Sequence, residues 1–249
     1  MILADVHCHL ADENFEKPMD EIIASAEKEG VRAIVTHGLG PQDNKKQVEL
    51  AKRYGIVRPA LGLYPGEAEN LSPEDLKREA DWIRSRKGIA AVGEIGLDKK
   101  ESPSDAAWKR QLAAFREMLS VAEDLNRPVV VHSRKAEKDC LDELKRFEGK
   151  VVMHCFGGSM KLLKEGLDRG YMFSVPPIVV YSTHFQELVR RTDISHLLTE
   201  TDAPYLSPFK DRMSEPAFVK LAVKKIAELK GFEVVDTANS IFQNFMRTF

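Results

Sequence analysis

His7 and His9 stand one residue apart in "VHCHL", and Glu94, His132, His154 and Asp202 each close a short apolar run further along the chain. Residues two apart on a β-strand project to one face, about 7 Å apart along the backbone. The imidazoles of His7 and His9 therefore point the same way, and Cys8 between them points the other way. Any one such residue, taken alone, fits a hydrogen-bonded core group. Six together do not, because burying four imidazoles and two carboxylates without a cation leaves polar atoms unpaired. The donor types suit zinc, manganese, cobalt or nickel. They carry too much nitrogen for a magnesium or calcium cage, although magnesium can still support activity. A mononuclear catalytic zinc takes three protein ligands. Six point instead to two divalent ions roughly 4 Å apart, with Glu94 able to give one oxygen to each. No lysine closes the run that holds Glu94, so a carbamylated-lysine bridge is not available there.

For these residues to meet, the chain must bring the ends of five separate runs to one place. Strand-like runs are "MILADVH", "VRAIVTHG", "IVRPALGLY", "IAAVGEIGL", "RPVVVHSR", "KVVMHCF", "GYMFSV" and "HLLTETD". Amphipathic stretches separate most of them, among them "MDEIIASAEKEG", "NKKQVELAKRYG", "PEDLKREADWIRSRKG" and "DAAWKRQLAAFREMLSVAEDLN", several ending at Gly or Asn. "SMKLLKEGLDRG", "STHFQELVRRTD" and "SEPAFVKLAVKKIAELKG" supply later helices, and "EVVDTANSIFQNFMRTF" reads as an appended C-terminal helix. Such alternation implies a parallel sheet. Eight units in 249 residues fit an α/β fold of the (β/α)8, TIM-type barrel kind, with a doubly wound open sheet as the structural alternative. No repeat, low-complexity tract or linker divides residues 1–249, so one domain is expected. In such barrels active sites lie at the carboxyl ends of the strands. His7 and His9 end the first strand, Glu94 the fourth, His132 the fifth, His154 the sixth and Asp202 the eighth.

Composition narrows the function classes. The 37 basic and 39 acidic residues give a formal charge of −2, so net charge argues for neither a nucleic-acid coat protein nor a membrane-surface one. No apolar run approaches a membrane span, and no secretory signal pattern stands at the N-terminus, which makes a cytoplasmic location the expectation. Cys8, Cys140 and Cys155 have no CxxC spacing, which fits a reducing compartment and argues against a disulfide framework or a thiolate zinc site.

The motifs "DVHCHL", "AVGEIGLD", "PVVVHSRKA", "MHCFGGS" and "LLTETDAPYL", with "SEPAFV" as a weaker echo, resemble those of the TatD family of metal-dependent hydrolases, within the amidohydrolase superfamily. The resemblance runs nearly the full chain. It implies a TIM-type barrel, divalent metal and hydrolysis of DNA phosphodiesters, often as an exonuclease. It also implies that His7, His9 and Asp202 hold one metal, His132 and His154 the other, and that Glu94 is shared. Three departures lie on the substrate side. Tyr64, in "GLYP", replaces a histidine usual in the family. Lys99 and Lys100 follow "GLD", where aromatics are common, and Ser214 stands where asparagine is common.

Strand parity extends the reading inward. Asp5 shares the phase of His7 and His9, and Glu200 that of Asp202, so both are expected beneath the metals, accepting the second N–H of ligating histidines. Cys8 and Cys155 have the opposite parity and are expected as inert thiols facing the helices. Basic residues gather on the same rim: Lys99, Lys100, Arg134, Lys135, Lys161, Lys210 and Arg212. Arg134, in phase with His132, suits a phosphate oxygen, and Tyr64 joins it as a substrate contact. Phe156, Tyr205 and Phe209 are rim aromatics able to stack on bases or to pack. His37 ends the second strand near the pocket, whereas His184 and His196 read as structural.

The function expected is a metal-dependent DNase in which a dimetal-activated water cleaves the phosphodiester and Asp202 accepts the water's proton. DNA is the substrate partner, and neither a membrane nor an obligate protein partner is implied. The same centre can polarise a carbonyl. The ligands therefore leave open an amidohydrolase acting on an amide, a lactone or the ester of an aminoacyl-tRNA.

Overall fold

The computed structural model describes residues 1–101 and 104–249. Eight strands run parallel in sequential order: β1 (Leu3–Cys8), β2 (Val31–His37), β3 (Val57–Leu61), β4 (Ala91–Gly96), β5 (Val129–His132), β6 (Val151–Met153), β7 (Met172–Val175) and β8 (Leu197–Thr199). Between them lie α1 (Met19–Lys28), α2 (Pro41–Arg53), α3 (Pro65–Ala68), α4 (Pro73–Arg84), α5 (Asp105–Leu125), α6 (Glu137–Glu143), α7 (Met160–Leu167) and α8 (Thr183–Arg191). α9 (Val219–Lys230) and α10 (Val234–Thr248) follow β8. This is the (β/α)8 barrel expected from the alternation, with the C-terminal helix in place. Among the described residues, no helix is long and apolar enough to cross a membrane.

The helices start where the sequence offers caps. The hydroxyls of Ser72, Ser104, Ser159 and Ser182 each accept an amide N–H from the first turn of α4, α5, α7 and α8. α5 stops at Asn126 and α9 at Gly231, both left-handed. Between β5 and β6, where no helical run stood out, the chain forms α6 and one 3-10 turn, Leu144–Arg146. Seven residues make two turns, too few to show a helical period in sequence.

Two apolar layers result. Ala4, Val6, Ala33, Val35, Ala60, Ala91, Val130, Val152 and Leu198 form an inner cluster. These small and branched side chains fit the narrow interior of a barrel. Leu3, Ile34, Val92, Ile95, Val129, Val131, Met153 and Phe173 belong to the larger layer between sheet and helices. Phe242 and Phe245 of α10, and Phe249 just beyond it, pack on the inner cluster, and the Asn244 amide of α10 donates to the carbonyls of Ile194 and Leu197.

The sheet closes beside the polar residues. The amide of Asp202 donates to the His7 carbonyl at 2.8 Å and that of His9 to Ala203 at 2.7 Å. Two glycines allow close strand approach there. A Cβ on Gly62 would lie 2.6 Å from the Glu94 carbonyl oxygen, and one on Gly96 (φ +141°) would lie 2.0 Å from that of His132.

Candidate metal centre

The six side chains expected as ligands converge at the carboxyl ends of the strands. His7 Nε2 and His9 Nε2 are 3.2 Å apart. Each lies 3.5 Å from Glu94 Oε2, and they stand 3.5 and 3.4 Å from Asp202 Oδ1. The other Glu94 oxygen, Oε1, is 2.8 Å from His132 Nδ1 and 3.1 Å from His154 Nε2, nitrogens that are themselves 3.5 Å apart. Glu94 is almost fully buried, at 3 % exposure, whereas the Asp202 side chain reaches 16 %. Groups of these residues, among them His7, His9 and Glu94, and Glu94, His132 and His154, have donor atoms close enough to hold a metal ion.

The donor set fits a metal. Two imidazole nitrogens 3.2 Å apart can share only one hydrogen between them, yet both also face two carboxylates. A cation satisfies all four atoms at once. Without one, protons must do that work. Burial disfavours charge on His9, but the Asp202 hydrogen bond and the Glu94 charge outweigh it and raise its pKa to about 9. Burial likewise opposes charge on His154 and His132. Glu94 and then Glu200 raise His154 nonetheless, and Asp98 followed by Glu94 raises His132. Burial pushes Glu94 up, but His154 and His132 hold it well below the usual range. His7 goes the other way: burial and the neighbouring His154 and His37 keep it neutral.

The surroundings hold these rings in register. Asp98 Oδ2 lies 2.9 Å from His132 Nε2, the edge opposite the one facing Glu94. Burial would raise the Asp98 carboxyl, but His132 and two backbone amides bring it down to about 2. His9 Nδ1 lies 3.3 Å from the His37 carbonyl. Glu200 takes the Cys155 amide and the Ser174 hydroxyl and stands 3.4 Å from His154 Nδ1, so it lies beneath the ring as parity anticipated, but that nitrogen has no hydrogen-bond partner among the described residues. His7 is sandwiched between the rings of His154 and His37, at centroid distances of 3.8 and 4.1 Å. His37 is therefore part of the site's inner wall, and burial lowers its pKa to about 3.

Several expectations are corrected. Asp5 touches no histidine ring; it accepts the His7 amide and both the amide and hydroxyl of Thr201. The β1–β2 ladder slips between Asp5 and Cys8, and this breaks the parity on which the expectation rested. Of the rim aromatics, Phe156 takes the packing role, fully buried against Phe173, while Tyr205 and Phe209 are exposed. Cys8 lies in the sheet–helix layer as expected, but Cys155, with φ +43°, edges the cavity. Burial raises both thiols. The basic rim is partly neutralised: Lys99 pairs with Asp139, and Arg212 with Asp211.

A cavity of about 580 Å³ opens over the centre, lined among others by Tyr64, Glu101, Arg134, Glu137, Asp202 and Tyr205. Arg134 Nε donates to Asp98 at 2.7 Å, and its outer nitrogen reaches Glu101. The Tyr64 hydroxyl donates to Glu101 at 2.9 Å. Asp98 and Glu101 escaped the sequence reading. They follow β4 in a loop, where neither parity nor periodicity applies, and the one signal was an acid directly behind the "GEIGL" run.

A parallel barrel with this cluster at the carboxyl ends of its strands is the architecture of a metal-dependent hydrolase. Comparison with known proteins agrees. The family described as TatD related DNase matches residues 4–249. An uncharacterised metal-dependent hydrolase of Methanocaldococcus jannaschii is 37 % identical over 246 residues, covering 98 % of this chain and 96 % of that protein. The human deoxyribonuclease TATDN3 is 33 % identical over 262 residues, covering 99 % and 94 %. The crystal structure of the TatD homologue YJJV of Escherichia coli superposes with a TM-score of 0.90 at 27 % identity, covering 99 % and 97 %. The chain belongs to the TatD family and is a metal-dependent hydrolase.

Proposed function

We propose that the chain, acting as one domain over residues 1–249, is a two-metal phosphodiesterase that cleaves DNA. The observation that carries the dinuclear reading is the division of Glu94, with Oε2 facing His7, His9 and Asp202 and Oε1 facing His132 and His154. In this reading His7, His9 and Asp202 would hold one ion and His132 and His154 the other, with Glu94 shared. Divalent ions held there would supply Lewis-acid charge and lower the pKa of a bound water. The protein's own groups do the rest. Asp202, the more exposed of the two carboxylates, accepts the water's proton, and the almost fully buried Glu94 holds the geometry. Arg134 and Tyr64 present N–H and O–H donors from the cavity wall to non-bridging phosphate oxygens. DNA as substrate draws support from relatives named deoxyribonucleases. Three unpaired cysteines agree with a cytoplasmic setting.

Glu101 and Glu137 on the cavity wall favour a second reading. Two carboxylates facing the substrate suit a less anionic compound, such as an amide, a lactone or an aminoacyl ester. Metal-dependent turnover of single-stranded DNA, a phosphodiester model compound and a small ester separates the two. The phosphodiesterase predicts about two ions per chain by elemental analysis, with activity abolished by chelation and recovered on adding metal. At most one bound ion with no gain from added metal defeats the dinuclear reading, and turnover of the ester alone defeats the phosphodiester one.

A further inference from the structure

The donors best placed to grip a phosphate are already occupied by a carboxylate of the chain itself. The Tyr64 hydroxyl donates to Glu101 at 2.9 Å, and the outer Arg134 nitrogen reaches the other Glu101 oxygen. Asp98 holds the same arginine from behind, but the two acids differ in how firmly they are fixed. Asp98 is fully buried and receives His132, Nε and the outer nitrogen of Arg134, and the amides of Lys100 and Glu101, with the Tyr64 hydroxyl 3.3 Å away. Glu101 is 43 % exposed at the cavity wall, and among the described residues its carboxylate takes the Tyr64 and Arg134 donors. A carboxylate and a phosphate present the same kind of anionic oxygen to a guanidinium fork. A half-exposed ion pair is also weak enough to be exchanged.

We propose that Glu101 is a specificity-determining residue that occupies the Arg134–Tyr64 phosphate subsite in the resting protein and must be displaced by a substrate phosphate. The proposal rests on the phosphodiester reading for its substrate. Asp98 keeps Arg134 aimed at the cavity when Glu101 swings out, so the subsite opens without rebuilding. The site then favours anions able to outcompete a tethered carboxylate, such as a polyanionic strand, over simple carboxylates.

The test uses the metal-loaded full chain as wild type, Glu101→Gln, Arg134→Ala and the double variant. The Kd for inorganic phosphate comes from calorimetry at fixed salt, and KM and kcat from a single-stranded oligonucleotide. Glu101→Gln should lower both the phosphate Kd and KM by about fivefold with kcat little changed. Most of that gain should vanish in the Arg134→Ala background. Glu101→Ala, with unchanged Tm, should repeat the result and exclude a folding effect. Unchanged constants, or an equal gain without Arg134, overturn the proposal. Tighter phosphate with no DNA cleavage by any variant defeats the phosphodiester reading and leaves the occluded subsite standing. DNA cleavage with both constants indifferent to Glu101 does the reverse.

Discussion

Asp98 accepts a hydrogen bond from His132 Nε2 at 2.9 Å, while Nδ1 of the same ring lies 2.8 Å from Glu94. A carboxylate on one nitrogen fixes the tautomer and leaves the other nitrogen's lone pair for a metal. Asp98→Asn offers an amide that cannot impose that tautomer. Competition with a calibrated chelator should show one metal bound at least about tenfold more weakly, with the other little affected. Equal affinities for both ions in the variant and the wild type would show that Asp98 does not orient His132.

The two candidate catalytic carboxylates should separate in a metal assay. Glu94→Gln removes the second anionic oxygen of the bridge, so metal content and turnover are expected to fall together. Asp202→Asn keeps one oxygen able to ligate but loses the proton acceptor. It should retain part of its metal while losing turnover by about a hundredfold or more. Near-normal turnover in Asp202→Asn would remove its assignment as base.

Metal uptake should depend on pH in a direction set by His9. Its pKa in the metal-free fold is raised from 6.5 to about 9, so at neutral pH a metal arriving at Nε2 must displace a proton. Affinity therefore rises with pH from 7 to 9, by up to about tenfold per unit for this one proton. Metal-free stability runs the opposite way. A folded-state pKa raised above the unfolded value contributes stability in full below pH 6.5, and it is lost as pH rises through about 9. Denaturation of the chelated protein at pH 6.5 and 9.5 checks the second effect, and calorimetric metal titrations in two buffers of different ionisation enthalpy check the first.

Arg134 reaches Asp98 with both Nε and its outer nitrogen, and that outer nitrogen also reaches Glu101, whereas a lysine ammonium lacks this fork. Arg134→Lys should reduce kcat/KM on DNA by about tenfold or more, since a charge-assisted contact is worth roughly 1.5–3 kcal/mol. Turnover of a small neutral ester should fall much less. Metal content should hold, because Asp98 retains His132 and two amides without the arginine. Equal losses on both substrates would make Arg134 a support for the site rather than a substrate contact.

The sequence alone exposed the six converging residues, because each imidazole or carboxylate interrupts an apolar run at the point where a barrel strand ends. It also carried the barrel, since eight β–α alternations leave few other ways to bury both faces of a parallel sheet. Glu200 was legible by parity. Asp5 was not, because the ladder slips between Asp5 and Cys8 and the count of alternate residues stops holding there. Tertiary structure alone decided that Asp98 stands behind His132, that Glu101 sits on Arg134 and Tyr64, and that His37 stacks on His7. These contacts join residues 30 or more positions apart. Periodicity describes one element at a time. Which loop carboxylate meets which ring depends on the stagger between neighbouring strands and on where glycines such as Gly96 let backbones approach.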